Sequence, residues 1–96
     1  MISRNGDRMN VSGPVTLQNV TGLLQEGLAC VRDGVTLVDL AEVSALDSSL
    51  LAALLAWVRE ARQLERDLAV VNLPRGLTTL AQLYGVEELL PAARPH

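Results

Sequence analysis

The stretch VDLAEVSALDSSLLAALLAWVR, from Val38 to Arg59, sets three small polar residues, Asp47, Ser48 and Ser49, directly before a long apolar segment. A carboxylate and two hydroxyls in that place have two kinds of chemistry open to them. Each can accept a hydrogen bond from the unpaired N–H groups of a helix's first turn, which is capping and requires no function. The same positive helix end also stabilises a phosphate on Ser48 or Ser49, or an anionic group brought by a partner. A phosphoryl group there adds about two negative charges and pushes against Asp47, so that one modification would switch an interface.

Other reactive sets are missing from the sequence. The chain has no Lys and no GxxxxGK[ST] pattern, which excludes nucleotide hydrolysis of the P-loop kind. His96 is the only histidine and sits at the end of the chain, where it makes a poor base for a serine nucleophile. One Cys, one His and dispersed carboxylates give no metal-ligand spacing, so neither a metal nor a cofactor is expected. Cys30 follows an apolar stripe and reads as a packing residue, and Glu87-Glu88 reads as a solvated edge. No enzyme activity is expected.

Composition points the same way. With 96 residues, half of them hydrophobic, the chain reads as one domain spanning 1–96 with enough apolar content for a core. A net charge of −3, eight Arg scattered among eleven acids, no Phe, one Trp and one Tyr argue against nucleic acid, which needs a basic stripe or aromatic platforms. A lone cysteine suits a reducing compartment, and the longest near-apolar run, Leu50 to Val58, is about half a bilayer crossing. The N-terminal sequence lacks the apolar core of a signal peptide, so a soluble, cytoplasmic protein is expected.

The elements that must position the polar trio are legible from periodicity. Asn5-Gly6 predicts a type I′ hairpin joining strands at Met1 to Arg4 and Asp7 to Ser12. Gly13-Pro14 predicts the end of that second strand. Leu17, Val20, Leu24, Leu28 and Val31 then recur at helical spacing, with Thr16 as N-cap and Asp33-Gly34 as the stop. Val35 to Leu40 and Leu68 to Leu73 read as strands covered on both faces, flanking a helix from Ser49 to Leu64. A third helix, Leu77 to Tyr84, precedes Gly85, a last turn runs from Val86 to Leu90, and a frayed tail covers Pro91 to His96. The order β-β-α-β-α-β-α predicts an α/β fold: a small mixed sheet of about four strands with helices packed mainly on one face.

The helix after the trio is unusually apolar. Leu50, Ala53, Leu54, Trp57, Ala61 and Leu64 form one stripe, and Leu51, Leu55 and Val58 widen it to about half the circumference. Arg59, Glu60 and Gln63 mark the wet side, while Ala52 and Ala56 are small enough to allow close approach. Either this helix is deeply packed or one edge of it meets another protein; Trp57 suits a core position and an interface anchor alike.

With these motifs the sequence resembles the STAS domains, named for sulfate transporters and anti-sigma-factor antagonists. Their signature is a strand ending in Asp-Leu, here Asp39-Leu40, a short loop, then Asp-Ser/Thr, a small residue and Gly-Leu at the head of an apolar helix, here Asp47-Ser48-Ser49-Leu50. VSGPVTLQNV is similar to the family's entry into its first helix, and LTTLAQLYGVEELLP, Leu77 to Pro91, is similar to the ending of the MlaB-type group. That resemblance implies a STAS-like fold and a subunit that binds and supports the cytoplasmic ATPase, and through it the permease, of a Mla-type ABC transporter for phospholipid. It implies a contact centred on Asp47, Ser48 and Ser49, with Leu50, Ala53 and Trp57 as its apolar surroundings. By position Ser48 matches the Thr of the MlaB-type ATPase contact, and Ser49 matches the serine phosphorylated in antagonists. The resemblance therefore also implies an alternative, a phosphorylation-regulated antagonist that binds a kinase-like anti-sigma factor. Leu50 replaces the family's glycine, which implies a bulky obstacle to a kinase or anti-sigma factor and an enlarged permanent contact instead. A third possibility is a lipid carrier with a concealed apolar pocket.

Overall fold

The computed structural model of the chain describes residues 1–89. Four strands, β1 (Ile2–Asn5), β2 (Arg8–Val15), β3 (Leu37–Leu46) and β4 (Ala69–Val71), form one sheet in that order. The first pair is antiparallel and the other two are parallel, so the sheet is mixed. Helices α1 (Val20–Arg32), α2 (Ser48–Gln63) and α3 (Arg75–Leu83) follow β2, β3 and β4, and a 3₁₀ turn (Glu87–Leu89) closes the described chain. The expected element order and mixed sheet are present. The proposed fraying of Pro91 to His96, and the end of the last turn at Leu90, lie outside the described residues.

The sheet's inner face presents Met9, Val11, Val15, Val38, Leu40 and Val70 to the helices, all buried. Along β3 the alternation is one-sided: Val38 and Leu40 are buried while Leu37 and Asp39 are half-exposed. The expectation of strands covered on both faces is therefore corrected. All three helices serve one layer, and parallel pairing here rests on one covered face. On the other face the Asp39 carboxylate accepts from the Asn72 side chain (2.9 Å) and the Ala41 N–H (2.9 Å). Arg8 lies 3.9 Å away, and these partners hold the carboxyl below its usual range, the Asn72 bond contributing most. Asn72 itself takes a left-handed φ of 57°, which ends β4 after three residues rather than at Leu73.

Two turn signals act differently from expectation. Asn5 pairs with Arg8, so the hairpin loop is Gly6-Asp7, and of these only Gly6 has a positive φ (65°). That is the pattern of a type II′ turn rather than I′. Gly13-Pro14 does not end β2. The strand continues to Val15 as the parallel partner of β3, with register shifts between Asn10 and Ser12 and between Gly13 and Pro14. Gly13 (φ 79°) absorbs the irregularity, and the N–H that Pro14 lacks costs little where the ladder is already broken. The same continuation carries β3 six residues past Leu40, to Leu46, so the segment expected as a loop before Asp47 is strand.

Helix α1 starts at Val20 with Asn19 as the flanking residue. Thr16 instead begins the turn before it, its carbonyl accepting from the N–H groups of Asn19 and Val20. The fully buried positions are Leu23, Gly27 and Val31, with Val20, Leu24 and Leu28 only partly covered. The stripe is rotated relative to the one read from sequence because α2 presses on Gly27. A Cβ on Gly27 would stand 2.2 Å from the Trp57 ring. The indole N–H donates to the Leu24 carbonyl at 3.0 Å, satisfying the ring's one polar group inside the core. Arg66 completes the junction by donating to the Val31 carbonyl at the end of α1, and Arg32 pairs with Glu60.

Because the indole is rigid and enclosed, Gly27→Ala is expected to destabilise the fold by about 1–3 kcal/mol, the usual cost of overpacking. Urea denaturation followed by the fluorescence of Trp57, the only tryptophan, checks this. An unchanged midpoint would mean that the two helices separate freely at this notch.

Candidate functional site

The site is the N-terminal end of α2, where β3 delivers Asp47 in an extended conformation (φ −133°, ψ −167°). Its carboxylate divides between two elements. Oδ1 accepts from the Ser49 N–H at 2.8 Å, and Oδ2 accepts from the Leu17 N–H at 3.1 Å. Asp47 is thus the N-cap of α2 and also the tether of the β2–α1 loop. Its backbone is fixed as well, the N–H donating to the Val15 carbonyl at 3.3 Å. The Ser49 N–H, then the Leu17 N–H, then the Ser49 hydroxyl hold the carboxyl below its ordinary range, with desolvation opposing weakly.

Since Asp47 supplies the cap, Ser48 is not consumed by it and stands exposed at the first position of the helix. Ser49 is half-exposed beside the Asp47 carboxylate. A hydroxyl at this end faces a positive helix terminus with no acidic side chain in the first turn. The arrangement can receive a hydrogen-bonding or anionic group from outside, or carry a phosphate.

The structure keeps the polar trio together and removes the apolar half of the expected contact. Leu50 and Trp57 are 0% exposed and Ala53 2%, so all three belong to the core. They turn inward because the stripe through positions 50, 53, 54, 57 and 61 is the one that faces the sheet and α1, leaving Ala52 outside. Leu64, assigned to the same stripe, is 38% exposed and ends up as the residue after the helix. In their place beside the tip stands Leu17, 77% exposed and held there by Asp47. Helical spacing had absorbed Leu17 into α1; the signal against that was Gly13-Pro14 and Asn19 close by, which make room for a turn. Tyr84, 57% exposed, also reaches this side of α2 and was missed. Cys30 is half-buried against the core, and Glu88 is exposed. Among the described residues no group of three His, Cys, Asp or Glu gathers to hold a metal, and no helix is long and apolar enough to cross a membrane.

Comparison with known proteins adds family and fold. The family described as "Mlab, STAS domain" matches residues 1–91. The chain belongs to the STAS domain family. A chain of the Acinetobacter MlaFEDB complex in an ATP-bound conformation is similar at 24% identity and a TM-score of 0.81, with 97% of this chain and 100% of that one covered. The anti-sigma factor antagonist SpoIIAA in its unphosphorylated form is similar at 15% identity and a TM-score of 0.72, covering 98% and 87%. The phosphorylated form of the Bacillus cell fate determinant SpoIIAA gives 15%, 0.68, 98% and 90%. At these identities the solved structures speak for the fold. Comparison with curated proteins gives no match.

The lowered Asp47 pKa fixes the sign of a pH effect. Its contribution is fully present above the ordinary carboxylate value of about 4 and is lost as pH falls below that through the depressed folded value. Asp47→Ala is therefore expected to lower the urea midpoint at pH 7, with the gap to wild type closing in acid. Amide exchange should speed up at Ser49 and Leu17 together. A gap that persists at acid pH, or faster exchange at Ser49 alone, would contradict the shared carboxylate.

Proposed function

We propose that this STAS domain is a non-enzymatic subunit that docks, through the end of α2, on the cytoplasmic ATPase of a Mla-type ABC transporter for phospholipid, and so serves outer-membrane lipid asymmetry. The observation that carries this is the exposed Ser48 hydroxyl on a helix end whose capping is done by another residue. The family match to the MlaB type over residues 1–91 supports it, as does the likeness in fold to a chain of an assembled MlaFEDB complex. In this reading the Ser48 hydroxyl meets a polar group of the ATPase, and Leu17 adds apolar contact beside it. The protein lies in the cytoplasm, peripheral to the inner membrane through that partner.

One observation favours a second reading, the phosphorylation-regulated antagonist of an anti-sigma factor. Leu50, in place of the family glycine, is fully buried and points away from the tip, so it presents no obstacle to a kinase approaching Ser49. A phosphate on Ser49 would lie against the Asp47 carboxylate and compete with it for the helix N–H groups. That would loosen the hold on Leu17 and alter the docking surface.

Co-expression with a candidate transporter ATPase tests the first reading. The wild-type chain is expected to co-purify, and Ser48→Arg, a bulky cation at the positive helix end, to lose the complex while remaining folded by its wild-type Trp57 emission, with only a small drop in melting temperature. Failure of the wild type to co-purify, together with phosphate on Ser49 in cells and capture of a kinase-like partner, would replace it with the second.

A further inference from the structure

The turn that joins β1 to β2 sets two reactive groups side by side. Asn5 is exposed and is followed by Gly6, whose φ of 65° makes the first corner of the turn. Among the described residues neither the Asn5 carboxamide nor the Gly6 N–H has a hydrogen-bond partner. A Cβ placed on Gly6 would meet nothing within 4 Å, so the nitrogen is not shielded either. An electrophilic carbon and an amide nitrogen are thus adjacent and unengaged. The other asparagines differ. Asn10, Asn19 and Asn72 are followed by Val11, Val20 and Leu73, whose side chains crowd the next nitrogen. The Asn19 carboxamide is also held at both ends, by the Thr16 N–H and the Pro14 carbonyl, and that of Asn72 by Asp39. At Asp33-Gly34, the related acidic step, the carboxylate is bound by Arg4.

We propose that Asn5 is a covalent modification site, deamidating spontaneously through a succinimide to aspartate and isoaspartate, with water as the only co-reactant. The Gly6 nitrogen gives its proton to solvent base and bonds to the Asn5 Cγ. The Cγ–Nδ2 bond breaks, and that nitrogen leaves as ammonia after taking a proton from water. Water then adds to one carbonyl carbon of the ring, its hydroxyl to the carbon and its proton to the ring nitrogen. Opening at Cγ gives aspartate, and opening at the main-chain carbonyl gives isoaspartate. The hairpin meters the first step, because attack requires Asn5 to rotate out of the extended strand while its pairing with Arg8 opposes this. As a four-residue edge strand paired on one side only, β1 opens locally. Arg4 resists that opening, donating to the Gly6 carbonyl at 2.8 Å and to the carboxylate and carbonyl of Asp33. The two products act differently on the sheet. Aspartate keeps the backbone and sets a carboxylate opposite Arg8, drawing it from Asp39. Isoaspartate routes the backbone through the side chain and lengthens the turn by a methylene, which breaks the Asn5–Arg8 pair. This turn lies at the start of β2, whereas Asp47 meets the end of β2 at Val15, so the inference is independent of the ATPase reading.

The test incubates the folded chain in warm, mildly alkaline buffer and follows it by peptide mapping with mass spectrometry. Labelling by an isoaspartyl-specific carboxyl methyltransferase identifies the isoaspartyl fraction. Asn5 should gain the mass of a hydroxyl in place of an amino group while Asn10, Asn19 and Asn72 stay intact, and Asn5→Gln should abolish both signals. Arg4→Ala, folded by its wild-type Trp57 emission, should raise the rate about two- to fivefold, as expected for the loss of an exposed ion pair. Asp33→Ala, which removes the same pair from the α1 side, should act alike. Amide exchange should quicken at Arg8 and along β1 in the isoaspartyl fraction and not in the aspartyl one. Three results would overturn the proposal: no mass gain at Asn5 in the folded chain, equal gain at the other asparagines, or a rate indifferent to both Arg4→Ala and Asp33→Ala. A folded chain that converts as fast as the urea-unfolded one would remove the hairpin's control of the rate.

Discussion

The Trp57 indole in the notch at Gly27 is the contact on which the helical layer depends. It brings α1 and α2 close enough that a single methyl group would not fit between them, and its one hydrogen bond goes to the α1 backbone. Fixing α1 against α2 also fixes the rotation of α2 about its axis. Leu50, Ala53, Leu54 and Ala61 follow Trp57 into the core, and Ala52 is left outside with Leu55 half-covered. The side of α2 left at the surface is thus what remains once the tryptophan is seated.

At the other end of the same helix a single carboxylate links local and tertiary structure. Asp47 caps α2 through one oxygen and holds the loop before α1 through the other. Capping by Asp47 releases Ser48 from that task and leaves it exposed, while Ser49 stays hydrogen-bonded to the same carboxylate. The helix dipole at that end is met by the Asp47 carboxylate, and Arg59 and Arg62 place positive charge farther along the outer edge. An acidic chain therefore carries a locally positive stretch at the far end of α2 and a capped, hydroxyl-bearing tip at the near end.

Much of this was legible in the sequence. Helix and strand periods gave the element order, the apolar content gave the core, and the Asp47-Ser48-Ser49 motif narrowed the cap to three residues and marked the place of the candidate site; the structure chose Asp47 and began the helix at Ser48 rather than Ser49. What periodicity could not give was direction. A helix with half its circumference apolar has several equally good faces, so Leu50, Ala53 and Trp57 read as a contact surface as readily as a core. Gly13-Pro14 was ambiguous for a related reason, since the same dipeptide ends a strand in isolation and makes a bulge when a parallel neighbour continues beside it.

Sequence by itself determined what the elements are and which side chains are available for chemistry, because propensity, capping and composition act over a few residues. Tertiary structure alone decided which face of α2 is buried, that Leu17 stands outside near the α2 tip, and that Tyr84 reaches the side of α2 that carries Ser48 and Ala52. Those outcomes depend on the fit of one indole against one glycine some thirty positions away and on a carboxylate reaching across a similar distance. Such contacts are set by shape in three dimensions and leave no periodic trace along the chain.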